Sequence, residues 1–450
     1  MNKSMSLRTL VSGVGEPNLP FFAVRTFGVE LSEPLPAITG ESAPGLAPYV
    51  SARVLVRLHH HPIGFVEVDV SGGPLAPSEL EKQIWAEFGP AIVTHLTADG
   101  FAQTGVVTRP TFPIDATCEL RGERPDWNPL VSVVICTLSR PRQLQNALNA
   151  LLVTEYPNFE IIVVDNGPED TSTASMIREH YSDLPNLRYE AEPIRGLSAA
   201  RNRGIDVANG EIVAFTDDDI IVDRHWLSSL VSGFDIEGTI ACVTGLTLAS
   251  ELESPAQMLF EQYGAFNQGY ETRLFTRDAN PAGTILYPYT AGVFGGGGNS
   301  ALRLDCFPDG LRFDRRLGPG TMAFGAEDLD IFLQTILRGK YIRYVPDAIA
   351  WHEHRRSYQD LRWQLFTYGA GFTALLTKSS LGDFRIALDL LRLAPRVISS
   401  RLLADTHGEG GSHRLPKELR RLEWLGFLYG PIAYTRSVLG LRRLATVGKS

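Results

Sequence analysis

The sequence has few cysteines and no paired-cysteine motif. Its four cysteines, Cys118, Cys136, Cys242 and Cys306, are far apart in a chain of 450 residues. The absence of Cys-x-x-Cys excludes the common zinc-thiolate and redox-dithiol motifs. We therefore expect isolated, buried thiols in a reducing compartment.

Long apolar segments are also lacking. The start of the chain, MNKSMSLRTLVSGVGEPNLP, has no apolar core of a signal peptide. No run approaches the roughly 18 apolar residues of a membrane span, and the nearest, Trp424 to Tyr434, is interrupted by Gly430 and Pro431. We expect a cytoplasmic protein, and a peripheral contact with the inner face of the cell membrane stays open.

Two common nucleotide-binding motifs are absent. CTLSRPRQL follows the first apolar strand, where a dinucleotide-binding fold needs Gly-x-Gly-x-x-Gly. A P-loop, which ends in Gly-Lys-Ser or Gly-Lys-Thr, is missing too. Only Gly448-Lys449-Ser450 resembles that ending, and it leaves no room for the helix that must follow. The net charge of -9 argues against a nucleic-acid partner.

What the chain does contain indicates a large globular protein of several domains, with 44% hydrophobic and 21% charged residues. Residues 1–105 are predicted to form a small α+β module, in which alternating residues flank a hairpin turn at His61 to Gly64 and a helix begins near Pro77. His59-His60-His61 is interpreted as a solvated turn rather than a metal site. Residues 106–128 are rich in proline and are predicted to be a linker.

Residues 129–360 alternate apolar strands with helical patterns, which indicates an α/β fold with a mostly parallel sheet. The predicted strands are VSVVICT, EIIVVDN, LRYEAE and EIVAFT. Ligands of such sheets bind beyond the carboxyl ends of the strands, which is where Asp165 and Asp217 fall. Residues 361–450 are helical and rich in arginine and leucine.

Three consecutive carboxylates, Asp217, Asp218 and Asp219, separate two apolar runs in EIVAFTDDDIIVD. Adjacent like charges repel, so their proximity requires compensation. Hard divalent cations prefer carboxylate oxygens, and acids at i and i+2 past a strand can converge on one cation and its phosphates. The pattern favours a cation site over a solvated acidic turn.

Two further motifs carry titratable groups. Glu327, Asp328 and Asp330 open a predicted helix, where the helix dipole favours acids and where a general base could face a cleft. His352 and His354 follow an apolar run, and either fits a metal ligand or a surface histidine.

Five segments together resemble the family 2 glycosyltransferases of GT-A fold, over roughly Pro129 to Arg356. In order they are VSVVICTLSRPRQLQNAL, EIIVVDNGPED, GLSAARNRGIDVANGEIVAFTDDD, AEDLDIF and AWHEHR. The resemblance implies a GT-A, Rossmann-like, mostly parallel sheet flanked by helices, with the small α+β module before it and a helical extension after it.

The resemblance implies a nucleotide-sugar site at the strand ends. Thr137 and Arg140 would line the nucleotide pocket, and Asp165 would accept from the imide N–H of a uracil or thymine. Arg201 would lie near the nucleotide or its diphosphate. Asp217 would reach the ribose or a metal-bound water.

The resemblance also implies Mg²⁺ or Mn²⁺ as cofactor. Asp219 and Asp217 of this DXD motif would bind the metal, with His352 as a further ligand or His354 in its place. Asp218 would point away or hydrogen-bond locally.

The implied reaction moves a sugar from a UDP-, dTDP- or GDP-sugar to a hydroxyl of a glycan or lipid-linked acceptor with inversion. Asp328 would be the base and Glu327 would position the acceptor. Polysaccharide, glycolipid or cell-envelope glycan synthesis is the expected role.

Alternative functions stay open at this stage. A haloacid-dehalogenase-like phosphatase also places Asp-x-Asp after an apolar strand, with Asp217 as nucleophile, although that motif normally follows the first strand of its domain. A non-catalytic nucleotide- or carbohydrate-binding module on the same scaffold and a nucleotidyltransferase are the others.

The C-terminal helices carry the basic pairs Arg420-Arg421 and Arg442-Arg443 near Trp424. This pairing fits a helix on a membrane surface and equally fits packing over the catalytic domain.

Overall fold

The computed structural model describes residues 11, 21–42, 47–100, 127–235, 238–264, 266–290, 292–407 and 415–447. The predicted linker, residues 106–128, lies outside the described residues except for its last two, and so does Cys118. The three described cysteines are buried and unpaired, as expected.

The N-terminal module is a three-stranded sheet covered by one helix. Its elements are β1 (Val24–Glu30), β2 (Ser51–Leu58), β3 (His61–Asp69) and α1 (Pro77–Ala98). β2 lies in the middle, parallel to β1 and antiparallel to β3. Leu80, Ile84 and Ile92 on one face of α1 are buried against the alternating apolar residues of the strands.

The hairpin turn of this module lies at His59 and His60, and the predicted turn at His61 to Gly64 is wrong. Both residues have positive φ, 50° and 67°, as two-residue hairpin turns require. The carboxylate of Glu30 accepts hydrogen bonds from both of their backbone N–H groups, at 3.0 and 2.9 Å. His59 is buried, so the solvated turn is not what the fold contains.

The second domain is built on a nine-stranded mixed sheet. Its strands are β4 (Val131–Thr137), β5 (Phe159–Asn166), β6 (Leu187–Glu192), β7 (Ile212–Asp217), β8 (Ile220–Val222), β9 (Ile240–Ala249), β10 (Arg273–Phe275), β11 (Asn299–Arg303) and β12 (Tyr341–His352). Its helices are α2 (Pro141–Leu151), α3 (Ser172–Tyr181), α4 (Leu197–Val207), α5 (Trp226–Ser232), α6 (Pro255–Tyr263) and α7 (Glu327–Leu337). Helices cover the sheet, so β4 is buried along its whole length.

The strand order is β10-β12-β9-β11-β7-β4-β5-β6, with β8 paired to β12. The four predicted strands β4 to β7 are parallel neighbours, as expected. β9 and β12 share their direction, whereas β8, β10 and β11 run the other way. In register, Thr137 pairs with Asp165 and Cys136 pairs with Asp217, so these acids share one edge of the sheet.

The N-terminal module packs against the second domain near β9 and β12. The backbone N–H of Val24 donates to the carbonyl of Leu252 at 2.9 Å. Arg57 forms an ion pair with Asp223, which directly follows β8, at 2.7 Å. The module therefore contacts the segments that directly follow β8 and β9.

Three long helices follow the sheet: α8 (Tyr358–Gly382), α9 (Phe384–His407) and α10 (Lys417–Val447). Glycines let α8 and α10 approach closely, because a Cβ at Gly369 or Gly426 would lie within 2.3 Å of a backbone oxygen of the opposite helix. None of the helices in the described part of the chain is long and apolar enough to span a bilayer.

Candidate functional site

A buried arginine joins the strand-end aspartates to the start of α7. Arg201, on α4, donates to Asp217 Oδ1 at 3.1 Å and to Glu327 Oε1 at 3.2 Å. Two acidic segments that are distant in sequence are thereby held on either side of one guanidinium.

The surroundings of Arg201 make this bridge costly to break. Its side chain is only 3% exposed, and the rings of Phe215 and Phe313 lie 5.9 and 5.4 Å from the guanidinium carbon. Burial opposes the charge of Arg201, but the carboxylates of Asp217 and Glu327 outweigh it and raise the pKa of the guanidinium. Arg201 is therefore charged, and its removal would leave two acids without their shared counter-ion.

The first two residues of α7 are in different environments. Burial and the neighbouring Asp328 raise the pKa of Glu327, against the opposing effect of Arg201. Asp328 is only partly buried. Its Oδ1 accepts from the N–H of Leu329 at 2.8 Å and its Oδ2 from the N–H of Gly297 at 3.1 Å. The Asp328 carboxylate is thus held in a fixed orientation at the surface of the site.

The backbone that leads into α7 is strained. Phe324 and Ala326 have φ values of 68° and 69°, a left-handed conformation that costs about 1–2 kcal/mol for an L-residue. Such conformations persist where the surrounding structure enforces them, often at functional sites. Here they orient the helix start that carries Glu327 and Asp328.

The glycine run before β11 lets backbone pack directly against these acids. A Cβ at Gly298 would lie 2.4 Å from Asp217 Oδ2. A Cβ at Gly297 would lie 2.6 Å from the Asp328 Cβ and 2.9 Å from Arg201 Nη1. Dense glycines let the backbone approach other groups closely, and here the groups that they approach are the acids of the site.

The middle aspartate is bound rather than turned to solvent. Asp218 accepts a hydrogen bond from Thr137 Oγ1 at 2.7 Å, and Arg140 Nη1 lies 3.2 Å from Asp218 and 3.3 Å from Asp219. Burial and the neighbouring Asp219 raise the pKa of Asp218 to about 6. Arg140 compensates two of the three adjacent acids, and Arg201 compensates Asp217.

The outer aspartate lies beside a histidine from a distant strand. His352 pairs with Ile220 where β12 runs along β8, and the backbone N–H of Glu353 donates to the Asp219 carbonyl at 2.9 Å. This pairing brings His352 Nε2 to 3.7 Å from Asp219 Oδ1. Burial lowers the pKa of His352 to about 4, against the opposing effect of Asp219, so its imidazole is neutral.

His354 contacts His352 and Glu261 rather than Asp219. Its Nε2 lies 2.9 Å from Glu261 Oε1 and its Nδ1 lies 2.9 Å from His352 Nδ1. Because the Glu261 carboxylate accepts, a neutral His354 donates from Nε2 and its Nδ1 accepts. His352 then donates from Nδ1, and its Nε2 lone pair faces Asp219.

This chain of contacts continues into the N-terminal module. Arg53 Nη1, on β2, lies 3.1 Å from Glu261 Oε2. The second oxygen of Glu261 is therefore occupied, which leaves Oε1 for His354. Arg53, a residue of the N-terminal module, thus helps to orient His352.

Asp165 lies on the same edge, next to Thr137 in register. Its side chain is buried, and Oδ2 accepts from the hydroxyl of Tyr189 at 3.1 Å. Within the described residues, Oδ1 is buried and makes no hydrogen bond. Burial raises the pKa of Asp165, and the hydroxyls of Tyr189 and Thr173 act in the opposite direction. The open acceptor fits a donor on a bound molecule.

The structure thus collects the predicted residues in connected groups around one sheet edge. No sequence motif indicates a role for Glu261, which lies on α6. None indicates a role for Arg355 either, an exposed cation that follows His354 and acts electrostatically on His352. The position of Arg355 directly after a candidate metal ligand was the available signal.

The donor set at Asp219 and His352 fits a divalent cation. A carboxylate and a neutral imidazole lone pair face each other, and oxygen donors suit Mg²⁺ and Mn²⁺. The imidazole favours Mn²⁺ of the two. Asp217 lies beside this pair in sequence, but its Oδ1 is committed to Arg201.

Residues 132–294 match the protein family described as Glycosyl transferase family 2. The matched segment contains the three strand-end aspartates, Asp165 and Arg201, and it ends before α7 and β12.

Individual relatives agree with this match. The chain is 38% identical to Glycosyltransferase AglE of Haloferax volcanii over 114 residues, which is 25% of this chain and 36% of that protein. It is 26% identical to the Pre-mycofactocin glycosyltransferase of Mycobacterium tuberculosis over 228 residues, 50% of this chain and 44% of that protein. The chain thus spans less than half the length of these two relatives.

Among solved structures, the chain resembles the mannosyltransferase PcManGT from Pyrobaculum calidifontis, determined in complex with GDP-Man and Mn²⁺. The identity is 17% and the TM-score 0.43, over 78% of this chain and 95% of that one.

Proposed function

We propose that this chain, whose residues 132–294 form a family 2 glycosyltransferase domain, transfers a sugar from a nucleoside diphosphate to an acceptor hydroxyl with inversion and with a divalent metal. The supporting observation is the Arg201 bridge, which places Asp217 and the acidic start of α7 at one site. A leaving group and a base can then act on the same sugar from opposite sides.

The nucleotide is proposed to bind along the ends of β4 and β5. Asp165 Oδ1, a buried acceptor, would receive the imide N–H of the base of a UDP- or dTDP-sugar, or a ring N–H of a GDP-sugar. Thr137 and Arg140 border the same edge, next to Asp218. Arg140 could turn from the acids to the diphosphate when a cation replaces its charge.

Asp219 and His352, with Asp217 nearby, would hold Mg²⁺ or Mn²⁺. When bound, the metal supplies Lewis-acid stabilisation of the diphosphate leaving group. Arg355 adds a positive charge beside this pair, so it is a further candidate to contact the diphosphate.

Asp328 is the proposed base. Its carboxylate takes the proton of the acceptor hydroxyl while that oxygen bonds to the anomeric carbon and the bond to the diphosphate oxygen breaks. A single displacement of this kind inverts the anomeric configuration and needs no second carboxylate nucleophile. Two N–H donors hold Asp328 in place, and Glu327, anchored on Arg201, would position the acceptor.

A donor screen tests this function. UDP-, dTDP- and GDP-sugars are tested for thermal stabilisation of the full chain with Mn²⁺, with Mg²⁺ and with EDTA, and active donors are tested for nucleoside diphosphate release. Stabilisation by one donor class and metal-dependent release are expected. Hydrolysis of simple phosphomonoesters, with no response to any nucleotide sugar, would instead favour the phosphatase. Donor binding without turnover on any glycan or lipid-linked acceptor would favour the non-catalytic module.

The acceptor is proposed to be a glycan or a lipid-linked sugar of the cell envelope, reached at the cytoplasmic face of the membrane. The two last helices expose apolar side chains at helical spacing: Phe384, Leu388 and Leu391 on α9, and Trp424, Leu425, Leu428 and Ile432 on α10. We name these seven residues the apolar stripe. Arg385, Arg392 and Arg421 are exposed and lie near these residues along the chain, a composition that suits an anionic membrane surface.

A further inference from the structure

A second group of metal-binding side chains lies in the N-terminal module. His59, His95 and Asp99 each place a ligand atom within 4.8 Å of the other two. His59 Nδ1 lies 2.6 Å and His95 Nε2 lies 3.2 Å from the same oxygen, Asp99 Oδ2. In the described part of the chain, no other three histidine, cysteine or acidic side chains converge in this way.

The burial of this group distinguishes it from a surface cluster. The side chains of His59, His95 and Asp99 are 2%, 3% and 0% exposed. Burying a carboxylate is costly unless a cation or several hydrogen bonds compensate for its lost hydration. Both imidazoles lie against the same oxygen of this carboxylate, so a cation bound between the three side chains would supply that compensation.

The backbone around the group is arranged for convergence. His95 and Asp99 are at i and i+4, in the last turn of α1 and at its C-cap, where the helix dipole favours a cation. His59 reaches them from the hairpin turn, in a left-handed conformation that is strained for a residue other than glycine. Glu30 holds this turn by both backbone N–H groups.

We propose that His59, His95 and Asp99 bind a divalent transition-metal ion of the zinc class, which fastens the β2–β3 hairpin to the end of α1. Two imidazoles and one carboxylate form a donor set typical of zinc, with a fourth position left for water. Zinc bonds of about 2.0–2.1 Å need ligand atoms roughly 3.3 Å apart, so the 3.2 Å pair fits and the 2.6 Å pair must open by less than about 1 Å.

The site also bears on the contact between the module and the sheet. His61, two residues beyond His59, lies 2.7 Å from Asp347 on β12 through its Nδ1. The His61 and His95 rings are 5.6 Å apart. A metal at the hairpin would therefore fix the part of the module that contacts β12. This role is separate from sugar transfer and does not rest on it.

Zinc binding to the full chain tests the proposal, in an Asp219→Asn background so that the proposed metal site at Asp219 and His352 does not contribute. Affinity is measured by competition with a chromophoric chelator, and unfolding temperature is measured with zinc and with EDTA. His59→Asn removes the imidazole while keeping a residue that tolerates the left-handed turn. Asp99→Asn keeps the shape of the carboxylate, and His180→Asn, an exposed histidine on α3, is the matched control.

Stoichiometric zinc binding is expected in the background and in the His180→Asn protein. In the His59→Asn and Asp99→Asn proteins, affinity should fall by at least about tenfold, and zinc should no longer raise the unfolding temperature. If His59→Asn does not fold, Asp99→Asn alone decides the result. Absence of zinc binding in the background, or equal affinity in the Asp99→Asn protein, would show that the three side chains are only hydrogen-bonded and would overturn the proposal.

Discussion

Asp219 and His352 lie side by side at the ends of different strands, with His352 Nε2 3.7 Å from Asp219 Oδ1. The pairing of β8 with β12 creates this contact, and the backbone bond from Glu353 to Asp219 secures it. The proposed chemistry depends on how Asp219 and His352 are held in place. It depends equally on the positions of Asp328 and Arg201.

Asp328→Asn should abolish sugar transfer while leaving donor binding nearly intact. The amide cannot take a proton from the acceptor, and loss of a general base costs roughly 10²–10⁴-fold in kcat. Initial rates and donor affinity by calorimetry measure the two effects. Asp309→Asn, at an exposed carboxylate, is the control and should behave as wild type. An Asp328→Asn enzyme with unchanged turnover would show that another residue is the base.

Glu261→Gln should weaken metal binding by about 10–100-fold, as loss of an outer-shell partner does. Arg53 holds Oε2, so the glutamine oxygen stays with Arg53 and its NH₂ faces His354. His354 must then accept at Nε2 and donate from Nδ1, which leaves His352 protonated at Nε2. Manganese titration of the protein measures the loss.

Glu67→Gln provides the matched control for that experiment. Glu67 also pairs with Arg53, at 2.7 Å, but it is largely exposed and does not contact His354. Its substitution should leave manganese affinity unchanged. Equal affinity in the Glu261→Gln protein would mean that Glu261 does not set the tautomer of His352.

Arg201→Met should destabilise the fold by about 3–5 kcal/mol, because it leaves the carboxylates of Asp217 and Glu327 without their buried counter-ion. Urea unfolding measures the change. Arg203→Met is the control, since Arg203 is half-exposed in its pair with Glu190 and should cost at most about 1 kcal/mol.

The destabilisation by Arg201→Met should also depend on pH. Burial already raises the pKa values of Asp217 and Glu327 in the folded protein, and loss of Arg201 raises them further. The folded state then binds more protons than the unfolded chain, so stability falls as pH rises through the folded pKa values. Unfolding at pH 5 and pH 8 should show the larger loss at pH 8, and a pH-independent loss would contradict the charge argument.

Gly298→Ala should lower activity and destabilise the protein by about 1–3 kcal/mol, as overpacking does, because the new Cβ would lie 2.4 Å from Asp217 Oδ2. Gly296→Ala is a close control: its Cβ would have Phe266 at 3.9 Å as its nearest neighbour. Thermal unfolding and initial rates measure both variants. Similar behaviour of the two would indicate that the loop adapts easily.

Replacing Leu391 and Leu428 in the apolar stripe by glutamate should release the chain from anionic vesicles. The two side chains are 70% and 73% exposed, and burial of a leucine contributes about 1.5–3 kcal/mol. Co-sedimentation should therefore weaken by more than about tenfold. Val153→Glu, at an exposed apolar residue after α2, should bind as wild type. A wild-type chain that does not bind the vesicles would end the membrane proposal.

The strands that carry the site could be predicted from the sequence because each is a continuous apolar run with a polar end. β4 and β5 lie where VSVVICT and EIIVVDN place them. The antiparallel insertion of β11 could not be predicted, because its run NSALR is short and its partners β7 and β9 are set by the whole sheet.

The residues gathered at this edge could be predicted where one motif contained them. Which of His352 and His354 faces Asp219 could not be predicted, because spacing alone cannot show that Glu261 lies against His354. For the same reason His59 looked solvated: the residues that bury it, His95 and Asp99, belong to a helix end that no turn motif reveals.

The position of Arg140 between Asp218 and Asp219 has a consequence for the stability of the protein without a bound metal ion. Arg140 already offsets part of the charge of these acids without a metal ion, so the fold would not depend on the proposed cation. Under the proposed function, the supply of manganese or magnesium would then change the activity of the protein rather than the amount of folded protein.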